Sequence, residues 1–204
     1  YIEHTGDNSI LNKVGKVIKK IMETFDKKVE DNGLIASLPY PYWNFYEWNK
    51  ESSSEDELDN REKAKFIKRY DLILNAMYVY AYSYVDKLFD TKTDLTKTKQ
   101  GIIDTFYDRT TKLFNLSTTC HKPSILGNSI AILIGLGNKE IAEKLKLGKG
   151  LVPITLSMNT FFYDALLKVD KNNKQWIIEN IKEKYSFMLK KKATTFWETE
   201  LGWK

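Results

Sequence analysis

Apolar residues along this chain recur at helical spacing, in two kinds of segment. From Asn8 to Phe25 they are Ile10, Leu11, Val14, Val17, Ile18, Ile21, Met22 and Phe25. That is one stripe of an amphipathic helix, with lysines on the other face and Asp7 or Asn8 placed to cap its start. The second segment, about Asn60 to Phe89, differs. Beyond Phe66 its apolar and aromatic residues fall on nearly every face, through Tyr70, Leu72, Ile73, Leu74, Met77, Tyr78, Val79, Tyr80, Tyr82, Tyr84, Val85 and Leu88. A helix that is apolar all round is buried on most sides.

The alternation continues. Leu95 to Asn115 returns to a single stripe, Ser124 to Leu136 is apolar all round, and Asn138 to Leu147 is a short amphipathic piece ended by Gly148 and Gly150. Ile154 to Val169 is again mostly apolar, and Asn172 to Lys192 is a long charged helix with Trp176, Ile177, Ile181, Met188 and Leu189 inward. No run alternates with the period of two that marks strands, so the chain reads as all-α. Helices that are one-faced and all-faced in turn build two concentric layers, an α/α toroid with the all-faced helices inside. A stacked helical solenoid is the alternative, but no repeated sequence signature accompanies the pattern.

The 204 residues, 42% hydrophobic and 13% aromatic, suffice for one domain with a sizeable core spanning 1–204, and exclude a disordered chain. A single cysteine, Cys120, excludes an intrachain disulfide framework and a cysteine-based zinc site, and two histidines leave little for a His-rich metal centre. The net charge of +5 is spread over 32 basic and 27 acidic residues without a single-sign block, so nothing marks a nucleic-acid partner. The longest apolar stretch, Ile130 to Leu136, is far below the roughly 20 residues that span a bilayer. No glycine-rich phosphate loop is present, and neither cofactor nor metal is expected. Both ends look cut, so a fragment of a longer polypeptide is expected and the compartment stays open, cytoplasmic, periplasmic or secreted.

Candidate chemistry lies in three places. Between Tyr42 and Trp48 five of seven residues are aromatic, with Glu47 and Asn44 among them and two prolines just before. Aromatic faces stack on the C–H faces of sugars while carboxylates and amides hold hydroxyl groups; the alternative is a loop whose rings serve as core. In Ala193-Thr-Thr-Phe-Trp-Glu-Thr-Glu-Leu-Gly-Trp203, Trp197 and Trp203 flank Glu198 and Glu200. Indole neighbours desolvate a carboxylate and raise its pKa toward the range useful for proton transfer. The same residues also read as a helix start, with Thr194 or Thr195 as cap and Glu198 completing a capping box. Asn159 and Tyr163, four apart, share a face near the polar start of their helix, beside Thr155 and Ser157. Tyr78, Tyr82 and Tyr84 read as core and helix-contact residues, Cys120-His121 as structural, and Asp104 with Asp108 as a solvated helix face.

In this order of motifs the chain resembles the catalytic domain of six-hairpin glycoside hydrolases, specifically the bacterial α-L-rhamnosidase-like family. The residues that carry the resemblance are Tyr1 to Asp7, the Tyr42-Trp-Asn-Phe-Tyr-Glu-Trp48 loop and Ala193-Thr-Thr-Phe-Trp-Glu198. Between them, Lys122 to Ser129 and Thr155 to Phe161 fall at inner-helix starts. The resemblance implies an (α/α)6 toroid that hydrolyses a carbohydrate with inversion, one carboxylic acid protonating the leaving oxygen and a carboxylate about 6.5–9.5 Å away activating water. It places the general base at Glu198, and Trp43, Glu47, Trp48 and Trp197 in the pocket. The acid-bearing segment of the family has no counterpart here, and seven helices are too few for twelve. The resemblance therefore implies a middle slice of the catalytic domain, inactive alone. Rivals are another six-hairpin enzyme, or a helical scaffold that binds glycan or protein without catalysis.

Overall fold

The computed structural model describes residues 1–39, 42–52 and 68–197. In chain order these form α1 (Ile2–Thr5), α2 (Ile10–Asp26), α3 (Leu72–Phe89), α4 (Thr96–Phe106), the strands β1 (Tyr107–Asp108) and β2 (Leu113–Phe114), α5 (Ile125–Leu133), α6 (Lys139–Leu147), α7 (Asn159–Val169) and α8 (Lys174–Lys190). Every second long helix is an inner one. Helix α5 packs between α3 and α7, α4 lies on α3, and α6 lies against both α5 and α7. This is a portion of an α/α toroid, the layering that the alternation of one-faced and all-faced helices predicts.

Burial follows position in the layer. Eight residues of α5, Ile125 to Ile132, are all buried, because inner neighbours stand on both sides and α6 covers its back. Helices α3 and α7 also meet directly, where the rings of Tyr80 and Phe161 stand edge to face at 5.9 Å. Tyr84 of α3 is 44% exposed, and Val17 and Ile21 of α2 are 57% and 51% exposed. Tyr78 and Tyr82 are buried as expected, and both phenols donate to Asp26 at the end of α2, at 2.7 Å. Burial, then the Asp26 carboxylate, pushes both phenol pKa values up.

Three boundaries differ from the sequence pattern. The second helix begins at Leu72, because Tyr70 pairs with Ala36 and Asp71 with Ser117; residues 60–67 lie outside the described residues. Backbone partners on two sides hold those residues extended where periodicity alone predicts helix. The pattern over Leu95 to Asn115 breaks at Phe106 into a β-hairpin, closed by the Asp108 carboxylate accepting from Thr110 and Thr111 N–H. An Asx turn competes with the next helical turn, so the chain is not wholly α and Asp108 sits in a turn. The pattern over Ile154 to Val169 opens as a short 3₁₀ turn, Leu156–Met158, before α7. Elsewhere local chemistry places the ends: Ser124 and Asn138 accept from Gly127 and Ile141 N–H, and Gly148 closes α6 in the left-handed region.

A repeated signature does exist, contrary to the sequence reading. Asp71-Leu-Ile-Leu-Asn75, Ser124-Ile-Leu-Gly-Asn128 and Thr155-Leu-Ser-Met-Asn159 each stand at an inner-helix start, with the asparagine four residues after a polar residue. Asn75 Oδ1 accepts from Ile35 N–H at 2.7 Å while its Nδ2 donates to Ile35 C=O and Asp71 C=O. Asn128 does the same with Phe114 N–H at 2.8 Å, Phe114 C=O and Ser124 C=O. Each amide clasps one residue of the extended link that leads to its helix. A signature of two fixed positions in five is too short to stand out by self-similarity.

Candidate active site

The polar starts of the inner helices gather at one end of the layer. A belt of single β-bridges ties their lead-ins together: Ala36 to Tyr70, Asp71 to Ser117, Asn115 to Pro123, and Ser124 to Val152. Helix dipoles leave this end with unpaired N–H groups and partial positive charge, suited to carboxylates. The 42–52 loop lies over this end and is fastened at three points. Asn44 accepts from Leu38 N–H and donates to Leu38 C=O, closing the neck of the loop. The Tyr46 hydroxyl donates to Asp71 at 2.9 Å, and Asp71 also pairs with Arg69 at 3.0 Å. Glu47 Oε2 accepts from Thr155 N–H at 2.9 Å and from its hydroxyl at 3.3 Å, while the Asn49 amide donates to Pro153 C=O.

These anchors sort the aromatic residues. Trp43 and Trp48 remain 43% and 37% exposed, with Phe45 wedged between them at ring distances of 4.7 Å to each. Trp43 and Trp48 themselves stand 6.4 Å apart, nearly edge to face. A cluster fixed by edge-to-face contacts holds its exposed faces still, which is what a stacking platform for a sugar ring needs. The loop is neither wholly core nor wholly surface: its polar residues are spent on anchoring and its indoles face out.

Glu47 is 1% exposed. Oε1 has no hydrogen-bond partner among the described residues. Burial raises its pKa above the ordinary carboxylate range, against the bonds from Thr155 that lower it. Asp71 is raised in the same direction by burial, opposed by Arg69 and Tyr46. A carboxyl whose folded pKa is raised favours folding when protonated, so its contribution is present below its unfolded pKa and is lost as pH rises through the folded one. Chemical unfolding of Glu47→Gln beside the parent is therefore expected to show the parent losing stability relative to the variant as pH rises above the ordinary glutamate pKa of about 4.3. A difference that stays constant with pH would mean that Glu47 is not desolvated.

The remaining expected residues lie apart from that platform. Tyr163 donates to Asn180 of α8 at 2.9 Å, so its hydroxyl joins an inner to an outer helix. Asn159 is 2% exposed, and neither Oδ1 nor Nδ2 has a partner among the described residues. The ring of half-buried Trp197 packs on Phe187 at 5.8 Å, and its backbone N–H donates to Met188 Sδ at 3.5 Å. Glu198, together with Glu200 and Trp203, lies outside the described residues. A cleft of 590 Å³ at the opposite ends of the inner helices is lined by Asp86, Lys99, Leu133 and Lys168 and carries no aromatic platform. Among the described residues no three His, Cys, Asp or Glu side chains group to hold a metal, and no helix is long and apolar enough to cross a membrane. No anchoring role for Tyr46, Asp71, Asn49 or Thr155 was legible in the sequence, because those roles depend on partners up to 108 residues away.

No family model matches the sequence, and no curated protein matches it significantly. Solved structures do. A rhamnosidase from Klebsiella oxytoca with rhamnose bound superposes over 98% of this chain with a TM-score of 0.76 at 15% identity. A rhamnosidase of the GH78 family from Bacillus sp. GL1 superposes over 98% with a TM-score of 0.71 at 17% identity. The chain has the fold of part of a rhamnosidase. It spans 38% of the length of the first structure and 21% of the second. The rhamnosidase fold accounts for the layering of inner and outer helices. At such identities the likeness concerns the path of the backbone and assigns no side chain a role.

Proposed function

We propose that this chain contributes to the catalytic domain of an inverting glycoside hydrolase of the α-L-rhamnosidase type, with Glu198 as general base. The observation that supports it best is the indole platform of Trp43 and Trp48, stapled by Glu47 and Tyr46 across the polar ends of the inner helices on this fold. In this reading the two indoles take the apolar face of the sugar, and Glu47 acts through the loop that it anchors. Glu198 removes a proton from the attacking water, and the acid comes from another hairpin of the toroid, outside this chain. The rhamnose held by one of the similar structures supports a carbohydrate as ligand.

A panel of aryl glycosides led by an aryl α-L-rhamnoside, offered to the polypeptide that carries the complete toroid, tests the proposal. Release of the aryl group is expected, with the best-cleaved glycoside naming the substrate, and with no release by residues 1–204 alone. A well-folded parent that cleaves none of the panel, yet binds free sugars, would move the assignment to a non-catalytic glycan-binding scaffold.

A further inference from the structure

We propose that the cleft at the opposite ends of the inner helices is a binding site for a small phosphate monoester, held by Lys99 and Lys168. The site is independent of the part assigned to Glu198. Its walls come from α3 and the end of α5. Helix α7 brings Lys168 from its last turn, α4 brings Lys99 from its first, and Lys92 stands on the link between α3 and α4.

The lysines set this cleft apart. None of the three has a carboxylate partner among the described residues. On nearby α6, by contrast, Lys139, Lys144 and Lys146 each pair with one. Two carboxylates do line the cleft, but both are engaged close by in the chain. Asp86 accepts from the Thr91 hydroxyl at 2.7 Å and from Thr93 N–H at 3.0 Å, and Asp94 from Thr96 N–H at 3.0 Å. Those bonds hold both carboxyls below their ordinary range.

Lys168 has a structural task as well. Its ammonium donates to Leu133 C=O, one of the carbonyls left open at the end of α5. That bond fixes the ammonium at the cleft and takes one of its three N–H donors. It does not account for Lys99. Burial pushes the Lys168 pKa down, and the nearby charge of Lys99 pushes it further. Two cations brought together without a counter-ion repel each other, and a bound anion relieves that repulsion.

Charge and size identify the ligand class. A phosphate monoester carries about −1.5 to −2 charges near pH 7, which matches two ammonium groups. The cleft of 590 Å³ falls within the roughly 300–1,000 Å³ of small-molecule sites and exceeds what a bare phosphate ion fills. Val79, Leu133 and Ile134 offer the carbon skeleton an apolar wall.

Isothermal titration calorimetry of the whole polypeptide tests the site, with glucose 6-phosphate as probe beside inorganic phosphate and glucose. The ester is expected to bind, inorganic phosphate more weakly and glucose not at all in the cleft. Lys99→Gln should raise the Kd of the ester about tenfold, the loss of one charge-assisted hydrogen bond. Lys13→Gln, which removes the same charge from an exposed position on α2, should leave it unchanged. If Lys99→Gln does not fold, Lys168→Gln carries the same comparison. No binding of the ester up to about 10 mM would overturn the site. So would binding that Lys99→Gln leaves untouched, which would seat the probe elsewhere, or equal weakening by Lys13→Gln and Lys99→Gln. Inorganic phosphate held as tightly as the ester would overturn the monoester as its ligand.

Discussion

Glu198→Gln, made in the polypeptide that carries the complete toroid, is expected to lower turnover about 10²–10⁴-fold, the range of a lost general base. KM and the thermal midpoint should stay within error of the parent. The choice of glutamine separates the two roles that the local sequence allows. A capping box after Thr195 accepts Gln as readily as Glu, because either side chain returns a hydrogen bond to the cap residue. Stability therefore stays level under both readings, and only the catalytic one predicts lost activity. Full activity of the glutamine variant would remove Glu198 from the mechanism. Loss of folding would instead show a carboxylate with a structural partner that glutamine does not replace.

Asn128→Ala is expected to cost about 3 kcal/mol of stability, read from chemical unfolding with an unchanged m-value. Asn128 is fully buried, and its amide satisfies Phe114 N–H, Phe114 C=O and Ser124 C=O at 2.8, 2.9 and 2.9 Å. Alanine leaves all three groups buried, and each orphaned donor or acceptor costs roughly 1–3 kcal/mol, with relaxation recovering part. Asn12→Ala, at an exposed position on α2, is the control and should fall within ~0.5 kcal/mol of the parent. Equal effects at the two positions would refute the clasp as a folding device. The pair also tests the signature itself, since helix propensity alone would make alanine stabilising at both.

How much was legible in the sequence differs from one element to the next. Helices α2, α5, α6 and α8 are found within a few residues of where apolar spacing and caps place them, because those signals act within a turn or two. Tyr70 and Asp71 read as helix and are extended, because their partners Ala36 and Ser117 lie in links that periodicity does not connect. In the site, the aromatic run from Tyr42 to Trp48 was conspicuous in composition, and its two indoles are exposed together with Tyr42. Its carboxylate was legible only as a ligand-type residue; that Glu47 turns inward to Thr155 follows from a contact across 108 residues.

The sequence by itself determined the helical class and its inner and outer members, since a helix's apolar faces record how many sides it buries. It also marked the aromatic loop and the Trp197-Glu198 pair as candidate places for chemistry. Only the tertiary structure decided which loop residues anchor and which face solvent, and that Asn75 and Asn128 at inner-helix starts are one device. The physical reason is the range of the forces involved. Apolar periodicity and capping are local along the chain, whereas a clasp or a buried carboxylate is defined by a hydrogen-bond partner that folding alone brings near.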